Sequence, residues 1–243
     1  MRVSIIIPVF NEEKTIGEVI ETVSQVNLGN SIQKEIIIVD DGSTDRTLEE
    51  IKKKSRLIDK ILALKGNKGK GEAVKSGLKK AEGDIIIIQD ADLEYFPDEY
   101  PRLIQPILEN EYHAVLGSRF LRKTNSKKNL FYYGNKFTTA LFNFLFKTKF
   151  TDIATAYKVF TKDITQHIIK LKYNDFRLDV VGIPYILSKY HIKTKEVPIR
   201  YSPRPWRKKK LRVKHGVKII NAILVLYFKN LFSKPPKRGE GQL

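Results

Sequence analysis

The first 120 residues alternate between short apolar runs and longer mixed segments. Val3–Val9 is short, β-branched and apolar, and predicts a buried strand. Asn11 is expected to cap a helix whose first turn holds Glu12 and Glu13, the favourable sign for the helix dipole. Glu35–Val39 predicts a second strand, ending in Asp40-Asp41-Gly42-Ser43. Ser43 or Thr44 is expected to cap a helix running to about Arg56. Lys60–Leu64 predicts a third strand, and "KGNKGKGEA" a loop into a helix ending near Ala81-Glu82-Gly83. Ile85–Gln89 is apolar without alternation, as a strand covered on both faces should be. Pro97 opens another helix and Ala114–Gly117 reads as a fifth strand.

Beyond residue 117 the pattern is weaker. Phe131–Phe146 and Asp175–Lys189 read as helices, Ile192–Val197 as a strand closed by Pro198, and Val217–Phe232 as a last amphipathic helix. Residues 201–214 are basic and interrupted by proline, and the tail "SKPPKRGEGQL" has a disordered composition. There are no internal repeats. Strand–helix alternation with Gly, Asp and Asn at strand ends predicts an α/β fold, a mostly parallel sheet with helices on both faces. In such sheets ligands bind outside the carboxyl ends of the strands. That places Asp40-Asp41 and the acids of "IIIIQDADLE" on one rim.

Composition sharpens this picture. The 243 residues, 42% hydrophobic, suffice for one large domain. The net charge of +18 is unevenly placed. Residues 1–110 hold 16 Lys+Arg and 20 Asp+Glu, a net −4, whereas residues 111–243 hold 29 and 7, a net +22. The second half is therefore expected to face something anionic. With no cysteine, disulfides and thiolate metal sites are excluded. The N-terminus is too short in its apolar part for a signal peptide. No run approaches the ~20 apolar residues of a spanning helix; the best, Ile219–Phe228, lies between Lys218 and Lys229.

Asp90 and Asp92, at i and i+2, can turn toward one point just past a strand end. Two hard oxygen donors suit Mg²⁺ or Mn²⁺, with phosphate oxygens completing the shell. The ordinary alternative is a pair of turn residues. The loop Gly66-Asn67-Lys68-Gly69-Lys70-Gly71 lacks the Gly-Lys-Ser/Thr ending of a P-loop. It is either a flexible connection or a source of phosphate contacts through Lys68 or Lys70. His113, His167, His191 and His215 lack metal-ligand spacing and are expected to be structural.

These segments together resemble a known family. "VSIIIPVFNEEKTI", "EIIIVDDGSTDRT", "NKGKGEAVKSGLKKAEGDIIIIQDADLEYFPDEYPRLI" and "VLGSRF" are similar, in order and spacing, to family 2 glycosyltransferases. The branch is that of dolichol- and polyprenol-phosphate sugar synthases, such as dolichol-phosphate mannose synthase. The similarity continues through "YGNKF", "TDIATAYKVF" and "KEVPIRY", to about residue 230. It implies a GT-A (Rossmann-like) fold, a nucleotide-sugar donor such as GDP-mannose or UDP-glucose, Mg²⁺ or Mn²⁺, and inversion at the anomeric carbon. By position it implies Pro8, Phe10, Glu12, Ile38 and Asp40 in the nucleoside pocket. It implies Asp90, Ala91 and Asp92 as the DxD, with Glu94 as a further metal ligand. Arg119 would reach a phosphate, and Arg204 and Lys210 would clamp phosphates from a loop. Asp152 and Lys158 match a recurring Asp-x-x-Thr-x-Tyr-Lys stretch whose role stays open. The chain departs from the family at Arg207-Lys208-Lys209, at Val181 and at His215-Gly216. These departures bear on donor and acceptor identity more than on reaction type.

The expected organisation is a GT-A domain over 1–211, with a nucleotide-sugar half at 1–117 and an acceptor half at 118–211. A membrane-interface helix over 212–233 and a disordered tail over 234–243 follow. The expected reaction moves a hexose to a polyprenyl or dolichyl phosphate. An acceptor phosphate is already anionic, its second pKa being about 6, so no strong base is needed. Lys214, Lys218 and Lys229 flank an apolar face of Val217, Ile220, Leu224 and Tyr227. With "RPWRKKKLR" this reads as an anchor on an anionic leaflet, giving a cytoplasmic protein peripheral on the inner face. The aromatics of 131–146 serve either that anchor or the core. The first alternative is a family 2 enzyme acting on a saccharide or polymer hydroxyl, which needs Asp152 or Asp179 as base. A nucleic-acid-binding protein is a second, but no helix-turn-helix, zinc finger or RNP-type motif is present, so no nucleic-acid partner is expected. A catalytically dead membrane adaptor has no use for an intact DxD.

Overall fold

A computed structural model describes residues 1–122, 130–203 and 213–232. Its seven strands are β1 (Arg2–Val9), β2 (Gln33–Asp40), β3 (Lys60–Ala63), β4 (Ile85–Ile88), β5 (Ala114–Ser118), β6 (Lys158–Thr161) and β7 (Thr194–Pro198). They form one sheet in the order β3-β2-β1-β4-β6-β5-β7. The pairs β1–β2, β1–β4, β2–β3 and β5–β7 are parallel. β6 runs antiparallel to both neighbours, β4 and β5, so the sheet is mixed but mostly parallel.

Isoleucine runs fix the register. Ile5 lies opposite Ile36 and Ile87, and Ile6 opposite Ile37 and Ile88. Because side chains alternate across a strand, each face of the sheet gains a layer of β-branched residues. One layer, with Ile6, Ile37, Ile86 and Ile88, packs on α3 (Lys70–Leu78), α5 (Leu130–Phe146), α7 (Ile183–Lys189) and α8 (Val213–Leu231). The other, with Ile5, Ile7, Ile38 and Ile87, packs on α1 (Ile16–Gln25), α2 (Thr47–Lys53) and α4 (Tyr100–Leu108). The short α6 (Thr165–Ile169) adds Ile168 to the first layer. Burial on both faces explains why β4 and the central runs Ile5–Ile7 and Ile36–Val39 are apolar without alternation.

Several boundaries differ from expectation. Asn11 does not cap α1: its backbone is left-handed at φ 50°, and its side-chain carbonyl accepts the Thr44 N–H at 2.8 Å. The helix starts at Ile16 instead. Ser43 and Thr44 do not cap α2 either; Asp45 accepts the Thr47 N–H at 2.9 Å. The segment expected as one helix from Asp175 begins with a π turn, Leu178–Gly182, before α7. β6 was not expected at all. It has four residues and opens with a lysine, so it lacks an apolar run.

The boundary near 211, Arg204, Lys210, most of the basic segment and the tail lie outside the described residues.

Candidate functional site

The carboxyl ends of β1, β2 and β4 and the segments following β4 and β5 surround a cleft of about 580 Å³. Pro8, Phe10, Glu12, Asp90, Ala91, Asp92, Glu94 and Arg119 all line it. Of the second strand end, Asp41 lines the cleft rather than Ile38 or Asp40. Ile38 is buried in the layer beneath α1 and α4. Asp40 is also buried and faces its own turn, accepting the Ser43 N–H at 3.2 Å and the Ser43 hydroxyl.

Asp41 ties the glycine-rich loop to the sheet. One carboxylate oxygen accepts the Lys68 N–H at 2.7 Å and the other the Gly69 N–H at 2.8 Å. Burial raises its pKa, and these two bonds offset only part of that. The loop is thus not a free connection, and two of its N–H groups already serve Asp41. Its glycines are required by close approach. At Gly69 (φ 96°) a Cβ would lie 2.6 Å from the Asn174 carbonyl oxygen, and at Gly71 one would lie 2.7 Å from the Asn174 carbonyl carbon. That contact delivers Lys70, the first residue of α3, to the floor of the cleft.

The DxD is held from several sides. Gln89 donates to the Asp90 carbonyl at 2.7 Å and accepts from the Tyr100 hydroxyl at 2.6 Å. The Thr15 hydroxyl, at the start of α1, donates to the Ala91 carbonyl at 2.7 Å. Leu93 is left-handed at φ 58°, and Asp92 accepts the Glu94 N–H at 3.2 Å.

The three acids expected as metal ligands do not converge. Among the described residues no group of three His, Cys, Asp or Glu side chains is placed to hold a metal. Glu94 accepts the Tyr201 hydroxyl at 2.7 Å. Asp90 is ion-paired with Lys70 at 2.6 Å. Lys70 also reaches Asp179 at 2.6 Å, and Lys158 meets the other oxygen of Asp179 at 2.9 Å. A row therefore runs from the half-buried Asp90 and Lys70 at the cleft to the buried Asp179 and Lys158. Burial opposes the charge on Lys70, but Asp179 and Asp90 outweigh it and raise its pKa. Burial likewise opposes the charge on Asp179, and Lys158 and Lys70 reverse that to hold it below the ordinary carboxylate range. Lys158 shares that one carboxylate, so burial leaves its pKa lowered.

Asp90 and Asp92 still fit Mg²⁺ or Mn²⁺. Such ions commonly take one or two protein carboxylates and complete the shell with substrate phosphates and water. Asp90 already has a cation, Lys70, against one oxygen, which shows the position suits positive charge.

Arg119 follows β5 and is gripped by Asp152: Nε to Oδ2 at 2.7 Å, Nη2 to Oδ1 at 2.7 Å, and the backbone N–H to Oδ2 at 3.1 Å. Asp152 is fully buried. Its turn is fixed by Glu196 of β7, which accepts the Thr151 N–H at 2.8 Å and the Asp152 N–H at 3.1 Å. The guanidinium lies 5.1 Å from the Tyr201 ring centre. Burial opposes its charge; Asp152 overrides this and raises its pKa well above the ordinary arginine value. Asp152 and Lys158 are not cleft residues. Each fixes a charged residue, Arg119 or Asp179, that does line the cleft.

From sequence, Lys70 reads only as a phosphate contact and Asp179 only as a rival base. Their partnership depends on the loop packing over Asn174, for which no local signal exists. His215 lines the cleft beside Phe176, at a ring separation of 5.0 Å, so its expected structural role is incomplete. His167 instead stacks on Tyr190 at 3.9 Å.

α5 and α8 bring Phe131, Asn135, His215 and Ile219 to the rim of the cleft. Their far sides are apolar and exposed: Leu130, Tyr133, Phe137 and Phe144 on α5, and Val217, Leu224, Phe228 and Leu231 on α8. Phe144 is 81% exposed and Val217 70%. The outward face of α8 is rotated from expectation, with Ile220 and Tyr227 half-buried. The α5 aromatics are divided, Phe142 facing the core and Phe137 and Phe144 solvent. Among the described residues no helix is long and apolar enough to cross a membrane.

The family model described as Glycosyl transferase family 2 matches residues 4–169. An uncharacterised protein of Methanocaldococcus jannaschii is 34% identical over 81% of this chain and 79% of its own length. The dolichol-phosphate mannosyltransferase of Pyrococcus furiosus is 36% identical over 50% of this chain and 34% of its own. The UDP-N-acetylglucosamine–dolichyl-phosphate N-acetylglucosaminyltransferase of Methanococcus voltae is 36% identical over 52% and 55%. These last two are thus matched over at most about half their length. Glucosyl-3-phosphoglycerate synthase of Mycobacterium tuberculosis, solved with Mn²⁺, uridine diphosphate and phosphoglyceric acid, superposes with a TM-score of 0.72 at 19% identity, over 93% of this chain and 78% of that one. That likeness establishes the GT-A fold.

Proposed function

The chain belongs to glycosyl transferase family 2, and from that premise we propose that it moves a hexose, mannose or glucose, from GDP-mannose or UDP-glucose to a polyprenyl or dolichyl phosphate, with inversion. The observation that carries this is the placement of Arg119 in the same cleft as Asp90 and Asp92 while the candidate bases are tied up. A hydroxyl acceptor requires a base to remove its proton. Asp152 is buried against Arg119 and Asp179 is held ionised by two lysines, with its pKa depressed. Both oxygens of each are engaged by cations, those of Asp152 by Arg119 and those of Asp179 by Lys70 and Lys158, so neither faces an acceptor hydroxyl as a base. A phosphate acceptor does not need one.

An acceptor phosphate oxygen attacks the anomeric carbon as the bond to the nucleoside diphosphate breaks on the opposite face, through an oxocarbenium-like transition state. Asp90 and Asp92 would hold a Mg²⁺ or Mn²⁺, which would supply positive charge against the departing diphosphate. Pro8, Phe10, Glu12 and Asp41 supply the nucleoside end of the cleft, and Asp90, Ala91 and Asp92 the diphosphate end. Arg119, held in one orientation by Asp152, offers its remaining N–H groups to a phosphate. Arg204 and Lys210 are assigned a phosphate clamp on the family resemblance alone.

The exposed stripes of α5 and α8 support a peripheral site on an anionic membrane at the inner face. They lie beside the cleft rim, and Lys218 and Lys229 stand exposed on α8. Each basic residue near such a surface contributes ~1 kcal/mol. Product analysis with polyprenyl phosphate against oligosaccharide acceptors tests the reading. Transfer to the oligosaccharide alone would overturn it. Thermal stabilisation by a panel of nucleoside diphosphates with Mn²⁺ identifies the donor base.

A further inference from the structure

Lys70 stands between the first acid of the DxD and a second, deeper carboxylate. Its ammonium sits 2.6 Å from Asp90, the first acid of the DxD, and 2.6 Å from Asp179. The side chain lines the cleft and is 26% exposed. We propose that Lys70 acts as a resident counter-ion for Asp90, which a divalent cation displaces toward Asp179 only when a nucleoside diphosphate arrives with it. The proposal rests on the assignment of Asp90 and Asp92 to the cation.

Charge balance gives the reason. Asp90, Asp92 and Asp179 against Lys70 and Lys158 leave the cluster at net −1. A divalent cation alone would turn this to +1, with the ammonium and the metal competing for one carboxylate in a site of low dielectric. A nucleotide sugar brings two negative charges and restores −1, and free UDP or GDP, with a terminal phosphate largely dianionic at neutral pH, brings about three and likewise leaves the cluster negative. Asp179 is already bonded to Lys70, so the ammonium has a second carboxylate to fall back on without a new cavity. Lys158 limits how far that goes, because it holds the other oxygen of Asp179. Lys70 is therefore a positioning residue for Asp90 in the free protein.

The test is Mn²⁺ binding followed by electron paramagnetic resonance, which needs no turnover. In the wild-type chain Mn²⁺ alone binds weakly, and UDP or GDP, whichever the protein takes, tightens it by about tenfold or more. In Lys70→Gln, Mn²⁺ alone binds about tenfold tighter than in wild type, and the gain from nucleotide shrinks. Lys70→Arg keeps the charge and restores weak binding of Mn²⁺ alone. Thermal melting of each variant confirms folding. If Lys70→Gln does not fold, the wild-type measurement decides alone: equal Mn²⁺ affinity with and without nucleotide overturns the proposal. So does a folded Lys70→Gln that binds Mn²⁺ no tighter than wild type. Absence of Mn²⁺ uptake with every nucleotide would instead overturn the cation assignment, and the role of Lys70 with it.

Discussion

The parallel strands carry an ion cluster at each end, and the two differ in what closes them. Where the strands begin, Glu35 of β2 accepts the Ser4 hydroxyl, the Glu82 N–H at 2.9 Å and the Lys60 ammonium at 2.7 Å. Lys60 also pairs with Glu82, and the Ser4 oxygen accepts the Gly83 N–H at 2.8 Å. Each donor is supplied by the protein's own strands and turns, and β1, β2, β3 and the approach to β4 are stapled together. Where the strands end, Lys70 is shared between two carboxylates and the cluster opens on a cleft. The residue types are the same. In each a lysine is shared by two carboxylates; what differs is that the first cluster closes on itself, whereas the second borders a cleft from which a ligand can reach it.

The largest loss is expected from Asp152→Ala, which leaves Arg119 buried without its partner. Breaking such a pair costs about 3–5 kcal/mol, measured by denaturant unfolding, and turnover should fall with it. Wild-type stability would show that Arg119 does not depend on Asp152. Next is Asp92→Asn. Turnover should fall about 100- to 1000-fold with the melting temperature nearly unchanged, and undiminished activity would refute the role of this residue. Glu35→Gln probes the closed cluster. Replacing a charged acceptor here costs about 1–3 kcal/mol and should leave turnover at neutral pH intact. Burial alone would raise the Glu35 pKa, but Lys60, Ser4 and the Glu82 N–H bring it below the ordinary value. Its contribution is therefore complete above the ordinary glutamate value and is lost as pH falls through the lower folded value. Unfolding curves of wild type and variant should converge in acid; a gap that widened there would contradict the sign. Smallest are Phe137→Ser and Phe228→Ser on the outward faces. Each should weaken binding to anionic vesicles by roughly 1 kcal/mol, read by co-sedimentation. Unaltered partitioning of the double variant would remove these faces from the proposed membrane contact.

Legibility in the sequence follows the same division. The first half was readable because its isoleucine runs have a period and length that only covered strands need, so β1, β2, β4 and β5 fell within a residue or two of expectation. The acids at their ends followed from topology. β6 escaped because Lys158, fully buried against Asp179, has the composition of a surface residue. Asp40 and Asp41 are adjacent, and only the turn at Ser43 decides which of them faces the cleft. Lys70, Asp179, Arg119 and Asp152 are separated by up to 109 positions where they touch, and no local periodicity encodes those pairings. The family resemblance supplies Arg119 and Asp152 as positions, while the geometry shows that they pair with each other.

The antiparallel strand β6 has a consequence for how the chain is assembled. β5 pairs only with β6 and β7, and the flank of β4 facing away from β1 is covered by β6. A polypeptide ending near residue 117 would present four isoleucines along a naked sheet margin, a template for mispairing with other chains. Neither half can then mature by itself. During synthesis the sheet edge at β4 must wait some 70 residues for its missing neighbour, and a chain split there for expression in pieces should precipitate unless the two pieces are made together.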